Sequence, residues 1–187
     1  MKDEKKLFLL DAFALIYRAY FAFAKNPRIN SKGLDTSAVF GFVNTLNEVI
    51  RKENPSHIAV VFDTKKPTER HIEFPDYKAH REAMPDGLRD ALPYIDALLD
   101  AYNIPKLFVD GFEADDVIGT LAKKAEQEGF QTYMMTSDKD FAQLVSDNIF
   151  MYRPGNKWQP TTIWGIPEVL EKFDIQRVDQ VIDYLGM

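Results

Sequence analysis

Two short apolar runs, each closed by an aspartate, constrain this chain more than any other feature. They are Lys6 to Leu10 before Asp11 and His57 to Phe62 before Asp63. Runs of this length predict strands buried on both faces rather than alternating, half-exposed ones. Helical spacing separates them. Leu15, Ile16, Tyr20 and Phe23 form one apolar stripe. Val39, Phe42, Val43, Leu46 and Ile50 form a second, opened by the capping chemistry of Asp35-Thr36-Ser37 and stopped by Asn54-Pro55. The alternation continues. Lys106 to Val109, Gln131 to Thr136 and Ile149 to Arg153 read as further strands, and Thr161 to Trp164 as a short edge strand. Leu92, Ile95, Leu98, Leu99 and Tyr102 mark a helix that Pro93 is expected to kink or begin. Glu113 to Glu128 is a helix ended by Gly129, Asp138 to Val145 a short one, and two small helices finish the chain. Strands alternating with helices predict an α/β fold, a mostly parallel central sheet flanked by helices.

At 187 residues, 45% of them hydrophobic and 13% aromatic, the chain has enough apolar material for a packed core, which excludes wholesale disorder. It has no cysteine, so disulfides, zinc–thiolate sites, iron–sulfur clusters and Cys nucleophiles are excluded. No apolar run reaches membrane-spanning length. The charged start, Met1 to Lys6, lacks the apolar core of a signal peptide, so a cytoplasmic protein without membrane association is expected. Neither G-x-x-x-x-G-K nor G-x-G-x-x-G occurs, which argues against nucleotide binding by those routes.

The acids repeat one placement. Asp11 follows the first strand and Asp63 the second. Asp110, Glu113, Asp115 and Asp116 follow the third, and Asp138 and Asp140 the fourth. In an open parallel sheet the carboxyl ends of strands share the edge where ligands bind. Singly, Asp11 and Asp63 read as caps, Glu113, Asp115 and Asp116 as first-turn acids complementing a helix dipole, and Asp138 and Asp140 as a cap and its solvated neighbour. Together they read as a ligand cluster. Gathered carboxylates repel unless cations neutralise them, and all-oxygen sites suit Mg²⁺ or Mn²⁺. Paired ions of this kind serve phosphodiester cleavage.

The net charge of −6 argues against a generic nucleic-acid binder, but the charge is unevenly placed. No acid interrupts Arg18 to Gly33, and Thr64 to Arg81 is rich in cations. That second segment has weak periodicity and predicts a loop or a mobile helical segment. Arg18, Tyr77, Lys78 and Arg81 read as a phosphate-binding and base-stacking set. Lys65, Lys66 and Arg70 read as ordinary surface charge. His57, His71 and His80 read as structural or exposed, and Trp158 and Trp164 as packing of a late hairpin.

The segments LFLLD ending at Asp11, YRAYFAF from Tyr17, GFVNTL from Gly41, VVFD ending at Asp63, PDYKAHR from Pro75, PYIDALLDAYNIP from Pro93, DGFEADDVIGTLA from Asp110 and TSDKDFAQLV from Thr136 resemble one family. It is the 5′-nuclease domain found at the N-terminus of bacterial DNA polymerase I, of the flap endonuclease superfamily. The resemblance covers nearly the whole chain. It implies a PIN-like, flap-endonuclease-like fold with a helical arch, here at about residues 64–92. It implies a first metal held by Asp11, Asp63, Glu113 and Asp115, and a second near Asp116, Asp138 and Asp140. It implies that Tyr77, Lys78 and Arg81 contact the scissile phosphate and the displaced strand, with Arg18 on a further phosphate. Asp63, Asp115, Lys78 and Arg81 are the catalytic residues so implied. The implied substrates are DNA with a 5′ end or flap and RNA primers on DNA, in replication and repair, with a polymerase domain in the same parent chain.

The sequence departs from the family pattern at Ala12, where Gly is usual, and at His80, where Asn is common. The family's Gly-Asp-x-x-Asp-Asn element and helix–turn–helix module lie beyond Met187, so the second metal site is expected to be incomplete here. Two alternatives stay open at the level of the residues: a fragment that binds metal or DNA ends without turnover, and a ribonuclease of the PIN type.

Overall fold

The computed structural model describes residues 5–64, 66, 68–74, 76–77, 83–156 and 159–186, with the side chains of Glu69 and His71 outside the description. Lys65, Lys78, His80, Arg81 and Trp158 lie outside the described residues. The chain divides into two compact units. One comprises Met1–Asp11, Pro55–Ala59 and Asp115–Met187, the other Ala12–Asn54 and Val60–Ala114.

A six-stranded sheet runs in the order β3-β2-β1-β4-β5-β6. Its strands are β1 Lys6–Asp11, β2 His57–Val61, β3 Lys106–Leu107, β4 Gln131–Met135, β5 Ile149–Arg153 and β6 Thr162–Trp164. β1 pairs with β4 in parallel from Lys6↔Gln131 to Leu10↔Met135, and β4 with β5 in parallel. β2 and β3 are parallel, whereas β6 closes the edge antiparallel to β5. The expected α/β class and mostly parallel sheet are therefore present, with the expected edge strand.

In the first unit, Phe8, Leu9 and Leu10 of β1, Met134 and Met135 of β4, and Met151 and Tyr152 of β5 are buried. Phe8 stacks on Tyr133 at 4.9 Å and meets Tyr152 edge-on at 5.2 Å. Helix α5, Ala114–Gln127, buries Ile118 and Ala122 and ends at Gly129, whose φ of +79° suits a residue without Cβ. Trp164 packs edge-on against Phe173 of helix α6, Ile166–Phe173, and carries the Arg153 guanidinium over its ring at 4.4 Å. Helix α7, Val181–Gly186, closes the described chain.

In the second unit, helices α1 Ala12–Ala22, α2 Ser37–Glu53 and α4 Asp86–Ala101 supply the core. Each buries one stripe: Leu15, Ile16 and Ala19; Ala38, Phe42, Leu46 and Val49; Leu88, Ala91, Ile95 and Leu99. These stripes follow the helical period and carry most of the hydrophobic stabilisation. α1 and α2 approach closely at Gly41, where an added Cβ would stand 2.7 Å from the Ala19 methyl carbon.

Three expectations are corrected. α4 starts at Asp86, just after Pro85, and runs through Pro93 instead of beginning there. Pro93 lies on the exposed side, opposite the apolar stripe that holds the helix together. β3 ends at Leu107, and Phe108 and Val109 are 64% and 46% exposed, so the apolar run is longer than the strand. The short helix after β4 is a 3₁₀ turn, Lys139–Leu144. Within the weakly periodic segment a short helix, α3 Glu69–Glu73, forms.

Candidate functional site

The carboxylates predicted as ligands fall in both units, and each unit positions its own. In the first unit, Asp11 ends β1 and is only 7% exposed. A buried carboxylate needs a donor. Thr136, fully buried just past β4, supplies it: its hydroxyl donates to Asp11 Oδ2 at 2.9 Å. The same hydroxyl oxygen accepts the Asp138 N–H at 3.1 Å. Asp138 Oδ1 then accepts the Asp140 N–H at 3.0 Å, capping the 3₁₀ turn. One hydroxyl thus links the end of β1 to the turn after β4, and Asp138 and Asp140 are left exposed. Asp115 and Asp116 stand in the first turn of α5, Asp115 exposed and Asp116 half-buried. There they complement the positive end of the helix dipole.

In the second unit, Asp63 lies two residues past β2. Its Oδ1 accepts the Ala114 N–H at 2.8 Å, so it satisfies one of the donors orphaned at the start of α5. Asp63 is a cap, as its bland reading held, but for a helix 51 residues away rather than the element after its own strand. Glu113, beside Ala114, is 4% exposed. Its Oε2 accepts from Arg70 Nη1 at 2.9 Å and from the Tyr77 hydroxyl at 3.1 Å. Asp110 accepts from the Thr64 hydroxyl at 3.1 Å and from the Lys66 ammonium. The Lys66 hydrogen bond first, then that of Thr64, holds the Asp110 carboxyl below the usual carboxylate range.

Arg18 is half-buried on α1. Burial pushes its guanidinium pKa down, and Glu48 of α2 acts in the opposite sense. His57 lies at a strand start, its Nδ1 3.0 Å from the Ser56 hydroxyl and its ring edge-on to Phe130. Lys78 and Arg81, both in the implied arch, lie outside the described residues. Reading Arg70 as ordinary surface charge is corrected, since it pairs with the buried Glu113, 43 residues away; Lys66 does lie on the surface, in an exposed pair with Asp110. Thr136 had also gone unmarked. The only available signal was its place at the end of a buried strand beside an Asp-rich turn.

The donor set is oxygen only, which fits a hard divalent cation. Among the described residues, no three acids stand close enough together to hold an ion. Glu113 is instead paired with the Arg70 guanidinium.

A mixed α/β sheet whose strand ends carry acids defines a class, and comparison with known proteins specifies it. The family described as "5'-3' exonuclease, N-terminal resolvase-like domain" matches residues 6–174, and the chain belongs to that family. It is 39% identical over 188 aligned residues to DNA polymerase I of Bacillus subtilis, a match covering all of this chain and 21% of that protein. It is 38% identical over 183 residues to the 5'-3' exonuclease of Aquifex aeolicus, covering 98% of this chain and 61% of that one. The chain thus spans about a fifth of the one relative and about three fifths of the other. A solved flap endonuclease of bacteriophage T5, in a complex with DNA and metal ions, shares the fold. Its TM-score is 0.68 at 17% identity, covering 95% of this chain and 64% of that one.

Proposed function

We propose that this chain is the core of a divalent-metal-dependent 5′ nuclease that hydrolyses DNA at a 5′ end or flap. The observation that carries the reading is the family match across residues 6–174, within which every acid of the set follows a strand or opens α5. Asp11, Asp63, Glu113 and Asp115 would hold a first ion, and Asp116, Asp138 and Asp140 would serve a second. The oxygen-only set favours Mg²⁺ or Mn²⁺. Held there, such ions would supply the nucleophile from water at neutral pH and would offset charge on the phosphate.

The chain's own groups do the positioning. Thr136 holds the Asp11 carboxylate in one orientation, and the Ala114 N–H does the same for Asp63. Fixed carboxylates lower the cost of assembling a site. Lys78 and Arg81 would bind the scissile phosphate and stabilise its growing charge, with Tyr77 offering a ring for a base and Arg18 a further phosphate contact. RNA primers on DNA are a second substrate of the same chemistry. The working context is the cytoplasm, in replication and repair, with a polymerase domain in the parent protein, as in the DNA polymerase I relatives. The arch is assigned to about residues 64–92 of this domain.

The test is cleavage of a 5′-labelled flapped duplex in Mg²⁺ or Mn²⁺ by the wild-type chain and by Asp63→Ala. Metal-dependent cutting that disappears in the variant supports the reading. Equal cutting by both proteins overturns the site assignment. No cutting by either overturns catalysis by this chain and leaves a metal- or DNA-binding fragment.

A further inference from the structure

We infer that Arg70 is an internal counter-ion that competes with a divalent cation for Glu113. The inference rests on the metal reading proposed above and adds a residue to it. Glu113 is almost fully buried, and a buried carboxylate is stable only when paired and hydrogen-bonded. Its partners are an arginine and a tyrosine. Both the Arg70 guanidinium and the Tyr77 hydroxyl donate to the same oxygen, Oε2, at 2.9 Å and 3.1 Å.

That oxygen cannot serve two masters. Lone pairs directed at N–H and O–H donors are not directed at a metal, and a guanidinium this close repels an incoming divalent ion. An ion that binds through Oε2 has to displace Arg70, and one that approaches through Oε1 still meets the guanidinium charge across the same carboxylate, so on either route Arg70 lowers the apparent metal affinity. Displacement is cheap on the arginine's side. Arg70 lies on α3, a five-residue helix whose Ile72 and adjacent Phe74 are 73% and 63% exposed, so little packing is lost when the side chain moves. The Arg70 side chain itself is 45% exposed against 5% for Glu113, so the arginine has water to turn to and the carboxylate has not. Once displaced, the guanidinium and the Tyr77 hydroxyl can meet a phosphate, which links metal loading to the phosphodiester. By reciprocity, whatever draws Arg70 away also tightens the metal.

The experiment is calorimetric titration of Mn²⁺ into the wild-type chain, Arg70→Gln and Arg70→Lys. Removing a charge-assisted hydrogen bond from a buried carboxylate is expected to tighten Mn²⁺ binding about tenfold in Arg70→Gln, with Arg70→Lys in between. A second readout uses the wild type alone: trypsin cleavage of the Arg70–His71 bond is expected to accelerate when Mn²⁺ is added. Faster cleavage supports the inference even if the variants fail to fold. Unchanged or weaker Mn²⁺ binding by a folded Arg70→Gln overturns it and leaves the metal reading standing, and so does an unchanged cleavage rate in a wild type that binds the ion. Absence of Mn²⁺ binding by all three proteins overturns both.

Discussion

Thr136→Val removes one hydroxyl and nearly nothing else, because the two side chains have the same shape. In the native chain that hydroxyl donates to the buried Asp11 carboxylate at 2.9 Å and accepts the Asp138 N–H at 3.1 Å. A hydrogen bond to a charged partner contributes about 1.5–3 kcal/mol, and a backbone donor losing its acceptor costs about 1 kcal/mol more. Asp138 is exposed, so water recovers part of the second loss. The extra methyl of valine recovers a few tenths. The variant is therefore expected to be less stable by about 2–4 kcal/mol, a large fraction of a typical domain's stability. For a domain of this size that corresponds to a fall in Tm of about 5–12 °C. Urea denaturation at pH 7 measures it directly, with Thr136→Ser as the companion. Serine keeps the hydroxyl and loses one buried methyl, for about 1 kcal/mol. If valine proved within about 0.5 kcal/mol of wild type, or serine as damaging as valine, the hydroxyl would not be what holds Asp11.

Two further outcomes are expected. Gly41→Ala forces a methyl to within 2.7 Å of the Ala19 side chain between α1 and α2, so overpacking should outweigh the better helix propensity of alanine and cost about 1–3 kcal/mol in urea unfolding. The contacts of Asp110 should also be pH-dependent. Its folded pKa is lowered, so its contribution is present above the unfolded carboxylate value of about 3.9 and lost as the pH falls through the lower folded value. Asp110→Asn should therefore differ from wild type in urea midpoint at pH 7, and the difference should close on acidification; a difference unchanged at pH 3 would contradict the Lys66 and Thr64 contacts as its source.

Much of this protein was written locally. β1, β2, β4 and β5 were legible because burial on both faces demands unbroken apolar runs, and α2 and α4 as helices because one buried face imposes the helical period, although of the expected stripes only Phe42, Leu46, Ile95 and Leu99 are buried. The placement of acids after strands was legible too, since it needs only the strand boundaries. Local patterning also misled, and for stated reasons. Pro93 reads as kinking or beginning its helix, yet α4 starts seven residues earlier, at Asp86, with Pro93 exposed and the opposite face packed. Phe108 and Val109 look like strand residues, but pairing partners decide how far an edge strand extends.

Which charges meet depends on contacts between residues far apart in the chain. Asp63 caps α5 across 51 residues, Arg70 neutralises Glu113 across 43, and Thr136 fixes Asp11 across 125. Secondary structure follows from interactions a few residues apart, which composition and period record. Pairing of a buried carboxylate is set by desolvation, which any nearby donor can relieve, and sequence spacing says nothing about which donor the fold brings close. The residues alone placed the acids after the strands; the folded chain decided that Glu113 carries a guanidinium.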